Sequence, residues 1–411
     1  MKFFWITISL FLWASIALQA QSNYSLNGYV RNFTALGLSE PNEFAIGQNT
    51  FDLTLKGGSS RASFTVNPFL YHYYDNELEW GLREAYVDLY FNNWDLRVGK
   101  QQIIWGKAEG VFITDMVAPK DLRLFLMPDF EEIRMGVTSV KLNYYRGMHS
   151  FEAVWIPFFT PTLMPEAGSM WTPQMPFPVQ PQWDYSLAQV DRTLENSELF
   201  FRYSLLSSYI DLEWMGGSFL YDDPMLSVQK QIDPLSQQLL GITLLPEYKR
   251  VNMTGGSFSL PIADWVVRGE AAYYQGREFQ INNPEVPSGL SEHDFLHYMV
   301  GVDYSLAGVK LSAQLIQENI LDYQSGLVKP ETRNTMTFLA RKDFLRERLW
   351  LELFTYIGLD EEDALIRPKV SYLFYDGVEF VAGANLFTGN QGQFGQYESN
   401  DMVYFKLKYS F

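Results

Sequence analysis

The chain has 411 residues, 48 acidic and 31 basic side chains, a formal net charge of −17, four His and no Cys. An acidic excess of this size disfavours nucleic acid as a partner, and without Cys no disulfide constrains the fold. The 25 Tyr, 31 Phe and 11 Trp are a high aromatic load for a soluble chain, and girdles at two bilayer interfaces account for it.

The first residues, MKFFWITISLFLWASIALQAQ, set one Lys before an apolar run from Phe3 to Leu18, with Ala20 as a small residue for cleavage. This pattern predicts a secretory signal peptide over 1–20, leaving 21–411 as a single domain. Loss of Lys2 takes the net charge from −17 to −18.

Beyond the leader the sequence alternates. Strands are expected at 24–33, 48–57, 61–71, 80–91, 94–105, 136–146, 149–156, 198–206 and 209–220. They continue at 249–260, 263–274, 293–305, 308–320, 332–342, 347–357, 366–375, 378–387 and 401–411. In the fourth, Ala85, Val87, Leu89 and Phe91 share one parity while Glu84, Tyr86, Asp88 and Tyr90 share the other. Successive side chains of a strand point to opposite faces, so one face is apolar and the other wet. The fifth repeats this, with Trp94, Leu96 and Val98 against Asp95, Arg97, Gly99 and Gln101.

The connections alternate too. Short ones such as Gly58–Ser60, Asn92–Asn93, Arg146–Met148, Leu306–Ala307 and Asp376–Gly377 are interleaved with long ones such as 106–135, 157–197 and 221–248. Short periplasmic turns, longer external loops and an even strand number describe an outer-membrane barrel. The expected fold is therefore an all-β, transmembrane antiparallel barrel of about 18 strands, with 16 as the smaller alternative. A barrel of that size is wide enough for an aqueous channel. By parity its lumen carries Glu84, Asp88, Arg97, Lys141, Glu152, Arg202, Asp211, Glu213, Arg268, Glu270, Lys310 and Glu352.

Two loops stand out. The segment 106–135 interleaves Lys107, Glu109, Asp115, Lys120, Asp121 and Arg123 with Asp129, Glu131, Glu132 and Arg134, between bends at Gly106 and Gly110 and stiffening at Pro119 and Pro128. Together with Glu84 and Arg97 on the adjoining strands, these charges are the candidate pore constriction and solute-binding residues. Their plainer role is to hold the loop to the wall by ion pairs. Residues 157–185 carry seven prolines, which forbid ladder pairing. Met164, Met170, Trp171, Met175, Phe177 and Trp183 make that segment either a loop packed on its neighbours or a lid for an apolar solute.

Sites for catalysis and metals are poorly supported. His293 and His297 lack the Glu of an HExxH zinc helix, and no nucleotide or GxSxG fingerprint is present. His149 directly precedes Ser150, so the two point to opposite faces, and His293–Asp294 fails likewise. No cofactor or metal is expected, and the chain is read as a non-enzyme.

The final strand, DMVYFKLKYSF, places Val403, Phe405, Leu407, Tyr409 and Phe411 on one face. Such an ending resembles the signal read by the outer-membrane barrel assembly machinery. The stretch VGKQQIIWGKAEGVFITDMVAPKDLR resembles a group of porin-like outer-membrane proteins of unassigned function. The matching residues are Arg97, Gly99, Lys100, Gln101, Trp105, Gly106, Gly110, Asp115, Pro119, Asp121 and Arg123; Glu109 stands where Asp is expected. The resemblance covers about thirty residues and implies an outer-membrane location in a Gram-negative-type bacterium with a transport role. In porins the third external loop, here 106–135, commonly bends into the lumen. The expected function is passive or substrate-biased diffusion of small solutes, with membrane lipid as surroundings and a homo-oligomer left open. The alternatives are an outer-membrane enzyme, an adhesin or export-complex subunit, and a channel for apolar solutes gripped by 157–197.

Overall fold

The structure, a computed structural model, describes residues 24–39, 44–173, 177–233, 235–236, 238–283 and 285–411. The expected leader at 1–20 and Met175 lie outside them. The wall begins with β1 (Tyr24–Gly37), β2 (Phe44–Gly58), β3 (Ala62–Tyr73), β4 (Leu78–Tyr90), β5 (Trp94–Gln101), β6 (Val137–Arg146) and β7 (His149–Ile156). A two-residue strand, β8 (Gln182–Trp183), stands outside the wall, which continues with β9 (Glu198–Leu206) and β10 (Asp211–Leu220). The hairpin of β11 (Met225–Ile232) and β12 (Leu239–Glu247) also stands outside. The wall resumes with β13 (Arg250–Ile262), β14 (Trp265–Gln280), β15 (Leu290–Leu306), β16 (Val309–Ile320) and β17 (Thr332–Phe344). It ends with β18 (Leu349–Gly358), β19 (Asp363–Tyr375), β20 (Val378–Thr388) and β21 (Met402–Ser410).

These 18 wall strands form one antiparallel sheet, closed where β21 pairs back onto β1 from Tyr29↔Ser410 to Gly37↔Met402. Closure removes the free edges that would leave amides unpaired in lipid. At the seam, Gly28 N–H donates to the Phe411 carbonyl (3.0 Å) and Phe411 N–H to the Gly28 carbonyl (2.9 Å). A Cβ at Gly28 would stand 3.0 Å from the Phe411 ring.

The alternation seen in the sequence is realised inside out. On β4, Val87 is 46% exposed and Asp88 only 6%. Leu212, Val302, Leu315, Leu351, Leu353 and Leu407 are likewise exposed on the outer face, as required where lipid is the surroundings. At the tight-turn end Phe91 stacks on Trp94 at 3.8 Å and Trp265 on Tyr304 at 4.1 Å, part of an aromatic girdle.

Several boundaries differ from expectation. The fifth strand stops at Gln101 instead of 105, because the chain turns inward there. Strands β1, β2, β14 and β15 run several residues further at the long-loop end, on β14 through the mostly polar Gln275–Gln280. The segment 221–248, read as loop, contains the β11–β12 hairpin, whose second strand adds β8 in parallel at Thr243↔Gln182.

The topology has a direct check. Gly168 and Gly308 have φ of 84° and 77°, and nothing lies within 4 Å of a Cβ built at either, so both accept an inserted tag. Gly377 does not, since a Cβ there would meet the Ser410 carbonyl at 2.4 Å, and one at Gly289 would press on Val228 at 3.2 Å. A tag at Gly168 is expected to be labelled on intact cells, and one at Gly308 only after the outer membrane is opened. Labelling of Gly308 on intact cells would reverse the orientation.

Candidate functional site: a loop laced across the lumen

The site begins where β5 ends. Gly99 has φ of 132°, and a Cβ there would lie 2.2 Å from the Ala85 carbonyl, so only glycine permits this approach of β5 to β4. Three residues on, the Gln102 amide donates to Glu84 (3.0 Å) and its side chain donates to the Glu131 carbonyl (3.0 Å). These bonds peel the chain off the wall. Trp105 follows, buried, with its indole N–H donating to Glu152 on β7 and its backbone N–H to Asp115 (3.3 Å).

From there the loop crosses to the far wall. Glu270 on β14, 3% exposed, accepts from the backbone amides of Lys107 (2.8 Å), Ala108 (3.0 Å) and Thr114 (2.7 Å) and from the Thr114 hydroxyl (2.7 Å). Gln314 on β16 accepts from Glu109 N–H (3.1 Å) and donates to the Glu109 carbonyl (2.9 Å). Tyr356 on β18 donates to the Gly110 carbonyl (2.8 Å), and Tyr274 on β14 to that of Ile113 (3.0 Å). Backbone amides in a lumen need partners. Here wall side chains supply them.

The charges singled out in the sequence are paired. Lys107 Nζ lies 3.5 Å from Glu213, and Glu109 lies 3.6 Å from Arg268. Asp115 is buried and paired with Arg134, whose guanidinium sits 5.2 Å from the Phe112 ring. Lys120 lies 4.0 Å from Asp223, over the Phe112 ring at 5.5 Å. Arg123 joins Asp121 (2.6 Å) to Glu79 on β4 (3.0 Å). Glu132 accepts from Arg31 on β1 (2.8 Å) and Tyr29 (3.1 Å), with Arg83 at 4.0 Å. Asp129 takes Lys406 on β21 at 3.1 Å. Burial would raise the Asp129 carboxyl, but Lys406 and Arg31 outweigh it and hold it at about 2. That tie is present above the ordinary Asp range and lost only as pH falls towards that value. Glu131 contributes its carbonyl rather than its side chain. Arg97 is a partial exception: it pairs with Asp88 (2.7 Å) under the Tyr86 ring (3.9 Å) and touches no loop residue.

Between these ties the loop buries apolar side chains inside the barrel. Ile103, Trp105, Ile113, Met116 and Val117 pack on Val154, Phe200, Met215, Phe295 and Met299 of the inner wall. Leu126, Met127 and Ile133 pack on Phe33, Leu365 and Tyr404. Trp171 of the proline-rich segment joins the second cluster, stacked on Phe125 at 5.8 Å. That segment is therefore a wedge on the loop, while Met164, Met170 and Trp183 remain exposed. Beside the loop a cavity of about 240 Å³ is lined by Tyr71, Tyr73, Glu79, Asp121, Arg123 and Glu132 among others.

One serine–histidine contact was missed. His149 bonds Tyr203 (2.8 Å) rather than Ser150, but Ser291 and His293, two apart on β15, share a face. Ser291 Oγ lies 3.0 Å from His293 Nε2, and Nδ1 lies 3.2 Å from the Leu321 carbonyl. The expectation that parity supplies no such pair is thus corrected. The imidazole is 6% exposed; its Nδ1 ties the loop after β16 to β15, while its Nε2 meets Ser291 of the same strand.

A model of the DUF1302 family, described as a protein of unknown function, matches residues 43–344, from β2 through β17 and including the whole laced loop. The chain belongs to that family. No curated protein matches this DUF1302 chain in sequence. Among solved structures it is similar to Pseudomonas aeruginosa OpdL, with TM-score 0.56 and 12% identity over 95% of this chain and 99% of that one. P. aeruginosa OccK8 (OprE) gives 0.58 and 10% over 95% and 98%. P. aeruginosa OccK2 (OpdF), solved in complex with glucuronate, gives 0.57 and 10% over 94% and 96%. The shared feature is the porin-like, outer-membrane barrel fold.

Proposed function

We propose that this DUF1302 protein is a porin-like channel for small solutes in the outer membrane of a Gram-negative-type bacterium, constricted by the loop 102–136. The observation that carries the reading is the grip of Glu270 on the backbone of Lys107, Ala108 and Thr114, which holds the loop across the bore. The fold shared with OpdL, OccK8 and OccK2, the last with a bound sugar acid, supports a solute-conducting barrel. Reconstitution of the purified protein in planar bilayers tests it: discrete single-channel steps are expected, and a silent bilayer would remove the reading.

A second reading has its own observation. The apolar clusters inside the lumen resemble a soluble core, and a core excludes water. Under that reading the resting barrel is plugged, the parent is silent, and conductance appears only when the loop is loosened.

Arg123 separates filtering from anchoring. Among the described residues it is the one cation lining a cavity that also carries Asp75, Glu77, Glu79, Asp121, Glu132 and Glu166. Arg123→Gln is expected to shift the reversal potential in a salt gradient towards cation selectivity. Lys120, tied to Asp223, lines no part of that cavity, so Lys120→Gln should shift it less. Equal shifts would mean that the cavity is not on the conduction path.

The C-terminal strand is proposed as the assembly signal. Deleting Phe411 removes both seam bonds to Gly28, and the expected result is a several-fold drop in heat-modifiable barrel in outer-membrane fractions. Unchanged levels would refute the assignment.

A further inference from the structure

The lipid face of the wall carries a groove of about 580 Å³ across β17–β20. Its course follows the ladder. Lys342 on β17 stands opposite Leu351 on β18, Leu351 opposite Val370 on β19, and Val370 opposite Ala382 on β20. Directly opposed residues share a face of the sheet, and Leu351 and Val370, 42% and 41% exposed, fix that face as the outer one. A second row, of Ala340, Leu353 and Pro368, lies beside the first. Small side chains at Ala340, Ala382 and Ala384 leave the trough. Pairing of β19 with β20 lapses at Arg367 and Pro368, because proline has no N–H to give, and Pro368 lines the groove there.

The groove starts at the tight-turn rim. Lys342 lies two residues inside the end of β17, whereas Ala382 lies four residues inside the start of β20. The row therefore climbs from the rim into the apolar band. Three inter-strand steps of about 4.8 Å make it roughly 15 Å long, about the depth of one leaflet of a hydrocarbon core some 30 Å thick. At its foot the Lys342 Nζ lies 5.4 Å from the ring of Phe344, nearer the turn, and has no ion pair among the described residues. Arg341 and Lys369 instead turn inward onto Glu352, at 3.9 and 2.7 Å. The turn below adds Arg346 and Arg348 against Asp343 and Glu347, and Arg348 is spent on the carbonyls of Leu373 and Phe374.

We infer that the groove holds an acyl chain of one anionic phospholipid of the periplasmic leaflet, with its phosphate on Lys342. The trough supplies an apolar bed, and the ammonium at its foot selects an amphiphile with a negative head. A long Lys side chain on an outer wall reaches for the interface, where the cost of its charge falls towards zero. A second barrel wall pressed onto the groove would bury that charge. Among the described residues the one acid lining the groove, Glu352, is already taken by Arg341 and Lys369. Charge complementarity therefore favours the lipid. The inference needs the barrel in its membrane and is independent of conduction.

Native mass spectrometry of the purified, folded barrel in mixed micelles tests it with four probes. These are dioleoyl phosphatidylglycerol, dioleoyl phosphatidylethanolamine, dioleoylglycerol without phosphate, and glycerol 3-phosphate without chains. One phosphatidylglycerol is expected to be retained per barrel. The other three should be held at least about fivefold more weakly, the factor that one cation contributes at an anionic surface. Lys342→Gln should weaken phosphatidylglycerol about fivefold, and Ala382→Phe, which fills the trough, should weaken it as much, with heat-modifiability unchanged in both. Equal retention of dioleoylglycerol overturns the phosphate assignment. Undiminished retention by Lys342→Gln overturns the site, even where Ala382→Phe fails to fold. Retention of several lipids, unmoved by either variant, would reduce the groove to bulk surroundings and overturn it too. Loss of a dimer or trimer mass in Ala382→Phe, with lipid retention unchanged, would make the groove a contact between copies instead.

Discussion

Replacing Glu270 with Ala is expected to raise single-channel conductance and make the open level noisy. The carboxylate accepts four hydrogen bonds from Lys107, Ala108 and Thr114. Each bond to a charged acceptor is worth about 1.5–3 kcal/mol, so even half of their sum far exceeds thermal energy. Without them lumen water solvates the freed amides, and the segment 106–114 keeps its bonds to Gln314, Tyr356 and Tyr274, the Arg268 bond to the Lys107 carbonyl and the ion pairs of Lys107 with Glu213 and Glu109 with Arg268. Glu270→Gln, which keeps the shape but loses the charge, should fall between Ala and the parent. A parent-like current trace in Glu270→Ala would show that the loop does not set the bore.

Deleting Val111–Phe130 is the second large change, and its expected result is twofold. Conductance rises, because the part of the loop that returns from the far wall, with its ties at Lys120, Arg123 and Asp129, is gone, while of the far-wall ties only those of residues 107–110 remain. Thermal stability falls as well, because Ile113, Met116, Val117, Leu126 and Met127 leave the internal clusters, and each buried side chain of this kind contributes roughly 1.5–3 kcal/mol. Bilayer recording and the temperature at which the heat-modifiable band is lost read the two effects separately. A deletion variant that melts and conducts as the parent does would end the constriction hypothesis.

The wall was legible in the sequence because period-2 alternation survives wherever one face meets lipid and the other water. All the expected strands are present, and even the inward list from Asp88 to Glu352 follows from parity. Boundaries failed where that two-sided environment ends: at Gln101, where Gln102 peels inward, and above the apolar band on β14 and β15. The loop's charges were legible as a group, but their partners were not. Nothing in the string links Glu270 to the amide of Lys107, 163 residues away, since a backbone donor carries no residue signature. Ser291 and His293 were readable from spacing alone and were overlooked beside His149.

The lacing also bears on how the barrel comes apart under load. A simple barrel pulled from its C-terminus unzips hairpin by hairpin, each released independently of those still embedded. Here the β4–β6 end of the wall is cross-linked through the loop to β14, β16 and β18, so extraction of the late hairpins must first tear Tyr356 from Gly110, then Gln314 from Glu109, then Glu270 from its amides. Mechanical rupture is therefore not local. Force applied at one end is carried across the lumen to strands far away in the sequence, and the loop acts as a tie-rod that stiffens the cross-section of an otherwise compliant cylinder.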